Sequence, residues 1–337
     1  MELVNLTPYA VERAIGMDGD GRETLLVAVK ATFALTAGGK DDLVLAEEQP
    51  PLVMADEYSG EPGLSSISRA SEMAPFKPGA DLLVHGCAYP SRERDAETQV
   101  VFSVGRLQKA VWVTGDRAWE GSRGAPSRPI PLARMPLVYE RAFGGRDDSP
   151  GTPDACAENP VGVGFRAARS RLPVAGARLP NLEDPAQPMR APDDRPAPRG
   201  LGPIAPSWSP RPRYAGTYDA AWQRQRLPLL PQDFDPRFHQ AAPADQVLPG
   251  YLAGGEPVAI TSVRPGGRGF QFSVPALRPA VVVRVGQQRE TPPAPCDMLI
   301  LDCEAALLSL VFRASLPIQG RLADLAWIKI EEPAGAA

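Results

Sequence analysis

Proline constrains this chain more than any other residue. There are 39 prolines among the 337 residues, and 23 of them fall between residues 121 and 250; ordinary usage is about 5%. Proline has no amide N–H to give to a helix or a sheet ladder, and it holds the residue before it in an extended conformation. The central segment therefore cannot be regular secondary structure, and it is expected to run as turns, polyproline-like stretches and short extended pieces. A disordered linker is the alternative. Against it stand Trp208, Tyr214, Tyr218, Trp222, Phe234 and Phe238, because disordered segments are poor in aromatic residues.

The flanks have a different texture. In residues 24–36 (TLLVAVKATFALT), Leu25, Val27, Val29, Ala31, Phe33 and Leu35 fall on one face, with Lys30 and Thr32 on the other. This is the period of two of a half-buried strand, and Gly38-Gly39 supplies a turn after it. Residues 81–89, 99–105 and 109–114 are short, β-branched or aromatic, and bounded by Gly, Pro or Asp, which suggests an antiparallel meander. The texture returns at 257–263, 270–274, 279–285, 297–303 and 306–316. Helix is expected only near 219–225, where Asp219 is placed to cap, and over 302–308. The fold class is therefore mainly β: antiparallel sandwich-like sheets from residues 1–120 and 251–332, with the proline-rich loop 121–250 packed on them in one body.

Charge and composition exclude several classes of function. Lys plus Arg number 36 and Asp plus Glu 40, for a net charge of −4, which leaves no electrostatic footprint for nucleic acid or an anionic membrane. The N-terminus MELVNLTPYAVER has acids at Glu2 and Glu12 and lacks the apolar run of a secretory signal. No stretch reaches the roughly 18 apolar residues of a membrane span. Cys87, Cys156, Cys296 and Cys303 share no metal-ligand spacing and read as reduced, buried thiols. No metal and no cofactor are expected.

Chemistry-bearing constellations are sparse. The chain has two histidines, His85 and His239, so the usual general base is scarce. His85 and Cys87 sit two apart on an expected strand and share a face, about 7 Å apart; a Cys–His nucleophile pair is one reading and a satisfied polar contact the other, with no orienting carboxylate to assign. Asp233 and Asp235 have the spacing that starts a calcium loop, but the glycine and the later glutamate are missing, so a turn is expected. The glycine pairs at 144–145, 162–164 and 254–255 read as backbone turns. Asp116-Arg117 beside Trp119, and Glu140-Arg141 beside Phe143, are expected to pin loops through charge-assisted hydrogen bonds and ring stacking. Trp119 is also a candidate partner contact.

Several strings resemble one known family: NLTPY at 5–9, VKATFAL at 29–35, KPGADLLVHGCAYP at 77–90, VTGDRAW at 113–119, MPLVYERAFGG at 135–145 and NPVGVGF at 159–165. Further on come LPNLEDP at 179–185, GPIAPSW at 202–208, PRYAGTYDAAW at 212–222, LPLLPQDFDPRF at 227–238 and APADQ at 242–246. In this order they resemble the bacterial type VI secretion effector adaptors, or chaperones, first catalogued as a domain of unknown function. The similarity runs over about residues 1–260 and weakens in the strands that follow.

The resemblance implies a cytoplasmic adaptor that binds a co-encoded effector toxin and helps load it onto the secretion spike, through the spike tip or a PAAR-repeat protein. It brings no catalytic residue, and no fused repeats follow the domain, which implies a stand-alone adaptor. A hydrolase-like enzyme and a structural or carbohydrate-binding β module are the competing classes. Interface anchors are enriched in Trp, Tyr and Arg, which directs attention to Arg213, Tyr214, Tyr218, Trp222, Phe234 and Phe238.

Overall fold

The computed structural model describes residues 2–36, 42–121, 124–150, 153–318 and 320–332. The Gly38-Gly39 turn lies outside the described residues. The N-terminal third supplies β1 (Glu2–Asn5), β2 (Ala10–Met17), β3 (Glu23–Leu35), β4 (Leu43–Leu45), β5 (Ala80–His85), β6 (Glu97–Val104) and β7 (Leu107–Thr114). The C-terminal third supplies β8 (Pro257–Arg264), β9 (Arg268–Ser273), β10 (Ala280–Val285), β11 (Gln288–Glu290), β12 (Cys296–Asp302), β13 (Leu307–Pro317) and β14 (Leu325–Glu331). The chain is mainly β, as its alternating segments require.

Every large sheet draws on both ends of the chain. A seven-stranded sheet runs in the order Val247–Leu248, β5, β12, β13, β3, β2, with β4 beside β3; a five-stranded sheet runs Leu182–Glu183, β7, β6, β8, β9; a four-stranded sheet runs β1, β14, β10, β11. Most pairings are antiparallel, but β5 lies parallel to β12 and β1 parallel to β14. The expected meander is therefore corrected. Strands β6 and β7 form a hairpin, whereas 81–89 belongs to a different sheet and is broken at Gly86, whose φ of +141° ends β5 before the short strand Cys87–Ala88.

The core-facing residues Leu25, Val27, Val29, Ala31, Phe33 and Leu35 of β3 join Leu82, Val84, Phe102, Val283, Leu310, Ile328 and others in one apolar cluster. The other face of β3 is not open to water, contrary to the half-buried pattern. Lys30 and Thr32 are both buried because residues 49–72 cover them. Lys30 Nζ donates to Glu72 at 2.8 Å and to the Pro51 carbonyl at 2.6 Å. The Gln49 carboxamide bonds both the N–H and the C=O of Thr32. Two further ion pairs are buried on this sheet: Lys77–Asp81 at 2.6 Å and Arg313–Asp297 at 2.5 Å.

The proline-rich segment is ordered by what it buries. Leu132, Met135, Leu137, Tyr139, Leu201, Ile204 and Trp208 reach the main core, and Tyr139 meets Trp208 edge-on with centroids 5.4 Å apart. A second, smaller core holds Trp119, Phe143, Cys156, Leu179 and Met189. The glycine pairs at 144–145 and 162–164 pack on each other: Gly144 has φ +148°, and a Cβ there would stand 2.1 Å from the Asn159 carbonyl. The four cysteines are free and buried.

One α-helix, α1 (Ala220–Gln225), forms where it is expected, with Asp219 accepting from the Trp222 N–H at 2.8 Å. No helix forms over 302–308. The Asp302 carboxylate instead accepts from the Glu304 and Ala305 N–H groups and closes a tight turn, Ala306 takes φ +53°, and β13 begins at Leu307. No helix is long and apolar enough to cross a membrane among the described residues.

Candidate binding groove

Residues 211–239 form an excursion that side chains hold together locally, since backbone ladders are unavailable to so proline-rich a stretch. Trp222 Nε1 donates to the Leu229 carbonyl at 2.8 Å, and Tyr218 meets the Trp222 ring edge-on at 4.7 Å. Asp233 accepts from the Thr217 N–H and hydroxyl at 2.9 and 2.7 Å. Asp235 caps the 3-10 turn Pro236–His239 and pairs with Arg237. The spacing that resembled a calcium loop is thus occupied by turn-making contacts. The Arg213 and Arg237 guanidiniums stack over Tyr214 at 5.1 and 4.5 Å, Arg211 stacks over Phe238 at 5.4 Å, and Phe234 meets Phe238 at 5.9 Å.

The excursion docks on the β2–β3 hairpin. Arg226 donates to the Gly19 carbonyl at 2.6 Å and to the Leu230 carbonyl at 3.0 Å. Gly21, with φ +79°, lets Leu229 approach to where a Cβ would stand 2.5 Å from its Cδ2. Between hairpin and excursion lies a groove of about 440 Å³, walled by Ile15 and Met17 of β2, Phe76, and Leu230, Phe234 and His239 of the excursion. Met17 is 60% exposed and Phe76 52%, so the groove is an apolar surface open to solvent.

The residues singled out from sequence separate into distinct places. Phe234 lines the groove; Trp222 and Phe238 are half-buried on the same excursion, and Tyr218 is exposed beside Trp222. Tyr214 lines a neighbouring cavity of about 260 Å³, and Arg213 stands exposed next to it. Trp119 is not a surface contact: it is 2% exposed, at the centre of the second core. Asp116, Arg117, Glu140 and Arg141 do join segments, although not as adjacent pairs. Asp116 accepts from Arg141 and Asn181, Arg117 pairs with the buried Glu183 and stacks over Trp112, and Glu140 accepts from the Ser66 N–H and hydroxyl.

The groove's other wall, β2 with Ile15 and Met17, was missed in the sequence. Its pattern is weak, AVERAIGM, but the Asp18-Gly19-Asp20-Gly21 run after it carries the Asp-Gly signal of a hairpin.

His85 and Cys87 do not form a pair. His85 faces a second cavity of about 320 Å³ whose lining includes Arg69 and Asp302 but not Cys87. Burial chiefly holds the His85 imidazole below its usual pKa. Burial and then the nearby Glu304 push the Cys87 thiol up, the reverse of what activates a nucleophile. Among the described residues, no three His, Cys, Asp or Glu side chains converge in a way that would hold a metal ion.

His239 gives the stability of the fold a pH dependence. Burial, followed by Lys77, Arg211 and Arg313, lowers its pKa from 6.5 to about 4. Between those values the unfolded chain takes up a proton that the folded chain refuses, so stability falls as pH drops from 6.5 towards 4 and is unaffected by this group above 6.5. In His239→Gln the loss of stability from pH 7 to pH 5, read from urea midpoints, is expected to shrink; an unchanged loss contradicts the assignment.

The sequence profile of a family described as uncharacterized protein conserved in bacteria (DUF2169) matches residues 20–313. The chain belongs to DUF2169. The match extends through β12 and most of β13, beyond the stretch in which the resemblance is strongest, and it takes in both the excursion and β3. No curated protein and no solved structure matches the chain.

Proposed function

We propose that this DUF2169 protein is a non-catalytic adaptor, or chaperone, that holds a partner polypeptide in the groove between β2 and the 211–239 excursion. The partner is a co-encoded effector toxin, and the adaptor delivers it to the type VI secretion spike through the tip or a PAAR-repeat protein. The observation that carries this reading is the groove itself: about 440 Å³, apolar, solvent-open and edged by aromatic residues. Exposed apolar patches of this kind mark interaction sites, and aromatic and arginine anchors dominate their energetics.

The test is co-purification of the tagged protein from its native bacterium, with mass-spectrometric identification of what stays bound. Recovery of a toxin or spike component is expected. Tyr218, Trp222 and Phe238 also hold the excursion together, so the cleaner variant replaces Met17 and Phe76 of the groove with serine. Recovery should then drop at least about tenfold, since hot-spot residues contribute about 2 kcal/mol or more each. Undiminished recovery would place the interface elsewhere.

A further inference from the structure

We propose that β2 is a receiving edge: an extended segment of the bound protein adds to the seven-stranded sheet as one more strand and brings a carboxylate to Arg13. This rests on the adaptor reading above and specifies how the partner enters.

The ladder decides which backbone groups are free. The Asp18 N–H donates to the Arg22 carbonyl at 3.0 Å, so 18 and 22 are a hydrogen-bonded pair, and the alternation of antiparallel ladders carries this along β2. Ala10, Glu12, Ala14 and Gly16 bond to β3. Val11, Arg13, Ile15 and Met17 direct their N–H and C=O outward, and among the described residues no strand lies beyond β2.

The rest of this sheet's margin is short or occupied. Val247–Leu248 pairs with Ala80 and Asp81 of β5, whose Leu82 carbonyl and Val84 N–H bond to Gln246 and Leu201; along β3 the row continued by β2 is filled by the Gln49 carboxamide at Thr32 and by the three-residue β4 at 33–35. Natural edges are blunted with charged side chains, proline or a bulge; over its eight regular pairs β2 has no proline and no bulge, and its only charges are Glu12 and Arg13. A row of unpaired amides and carbonyls is matched by another extended backbone.

Arg13 indicates what that backbone carries. Its Nη1 is buried with no acceptor among the described residues, and an orphaned cationic donor is costly. A strand beside β2 would set a side chain within about 4.5–5.5 Å of Arg13 on the same face, where Asp or Glu would complete it. A second copy of this chain does not fit. In an antiparallel pair outward positions meet outward positions, so Arg13 would meet Val11, Arg13, Ile15 or Met17 of the other β2 and not the acid Glu12.

The probe is a fluorescent peptide, Thr-Val-Thr-Val-Glu-Val-Thr-Val-Thr, read by anisotropy with the full chain. Saturable binding is expected. N-methylation of alternate amides should weaken it at least about tenfold, because several main-chain bonds are lost together. Changing the peptide glutamate to glutamine should weaken binding to the wild type but not to Arg13→Gln. Ile15→Pro removes an outward N–H and should abolish binding with little change in melting temperature. Ala14→Pro removes an inward one and should lower the melting temperature.

No saturable binding, equal binding of the N-methylated peptide, wild-type affinity in Ile15→Pro, or dimerisation through β2 would each overturn the inference. If the peptide fails while a protein partner still co-purifies, the added strand is wrong and the adaptor reading stands. If the peptide binds and no protein partner is found, the adaptor reading falls and the receiving edge stands.

Discussion

Replacing Asp297 with alanine is expected to destabilise the folded protein by about 3–5 kcal/mol, the range for breaking one side of a buried ion pair. Asp297 and Arg313 are 2% and 4% exposed. The guanidinium gives Nε to both carboxylate oxygens at 2.9 and 2.8 Å, Nη2 to one of them at 2.5 Å, and Nη1 to the Glu72 carbonyl at 2.8 Å. A register shift between Cys296 and Met298 leaves Asp297 without a cross-strand partner, and a bulge of this kind re-aims a side chain.

Alanine leaves the guanidinium buried without its counter-ion. The double variant Asp297→Leu with Arg313→Met should recover most of the loss, because two apolar groups need neither water nor a partner. Urea unfolding of the three proteins checks this; a single-variant loss below about 1 kcal/mol contradicts it.

Trp119→Ala is expected to cost about as much, roughly 3–5 kcal/mol, by leaving a cavity in the second core. The indole packs with Phe143, Cys156, Leu179 and Met189. Its backbone N–H donates to the Ala177 carbonyl at 2.9 Å, and its carbonyl accepts from Gly176 at 2.8 Å. The variant separates two roles: a structural anchor gives a lower unfolding midpoint together with partner recovery that persists at temperatures where the protein remains folded. None of this cluster lines the groove, so loss of binding with an unchanged midpoint would contradict the placement.

The fold was legible wherever side-chain period survives without its neighbours. Residues 24–36, 99–105, 109–114 and 257–263 alternate clearly, and each is a strand. Asp219 marks a helix start because a cap is a local hydrogen bond. Strand partnership was not legible: nothing near residues 80–85 reveals that β12 lies alongside in parallel. Burial of the second face of β3 depends on residues 49–72, which no periodicity in β3 encodes.

The helix expected at 302–308 failed for a specific reason. An aspartate that accepts from amides two and three residues on makes the same local contact in a tight turn as at a helix cap, and the following apolar run belongs to β13. At the candidate site, the excursion's aromatics were legible as a class, whereas the exposure of each was not. Trp119 and Tyr218 look alike in sequence, yet one is a core residue and the other faces solvent. The β2 wall was obscured by short, small side chains at Ala10, Ala14 and Gly16.

The proline content of residues 121–250 has a consequence for the unfolded chain as well as the folded one. Each fixed φ removes conformations from the denatured ensemble, so an irregular segment of this length loses less chain entropy when it orders than the same length of ordinary loop. Association likewise costs less when the receiving surface has little freedom left to lose. A loop constrained in this way is already ordered before anything makes contact with it.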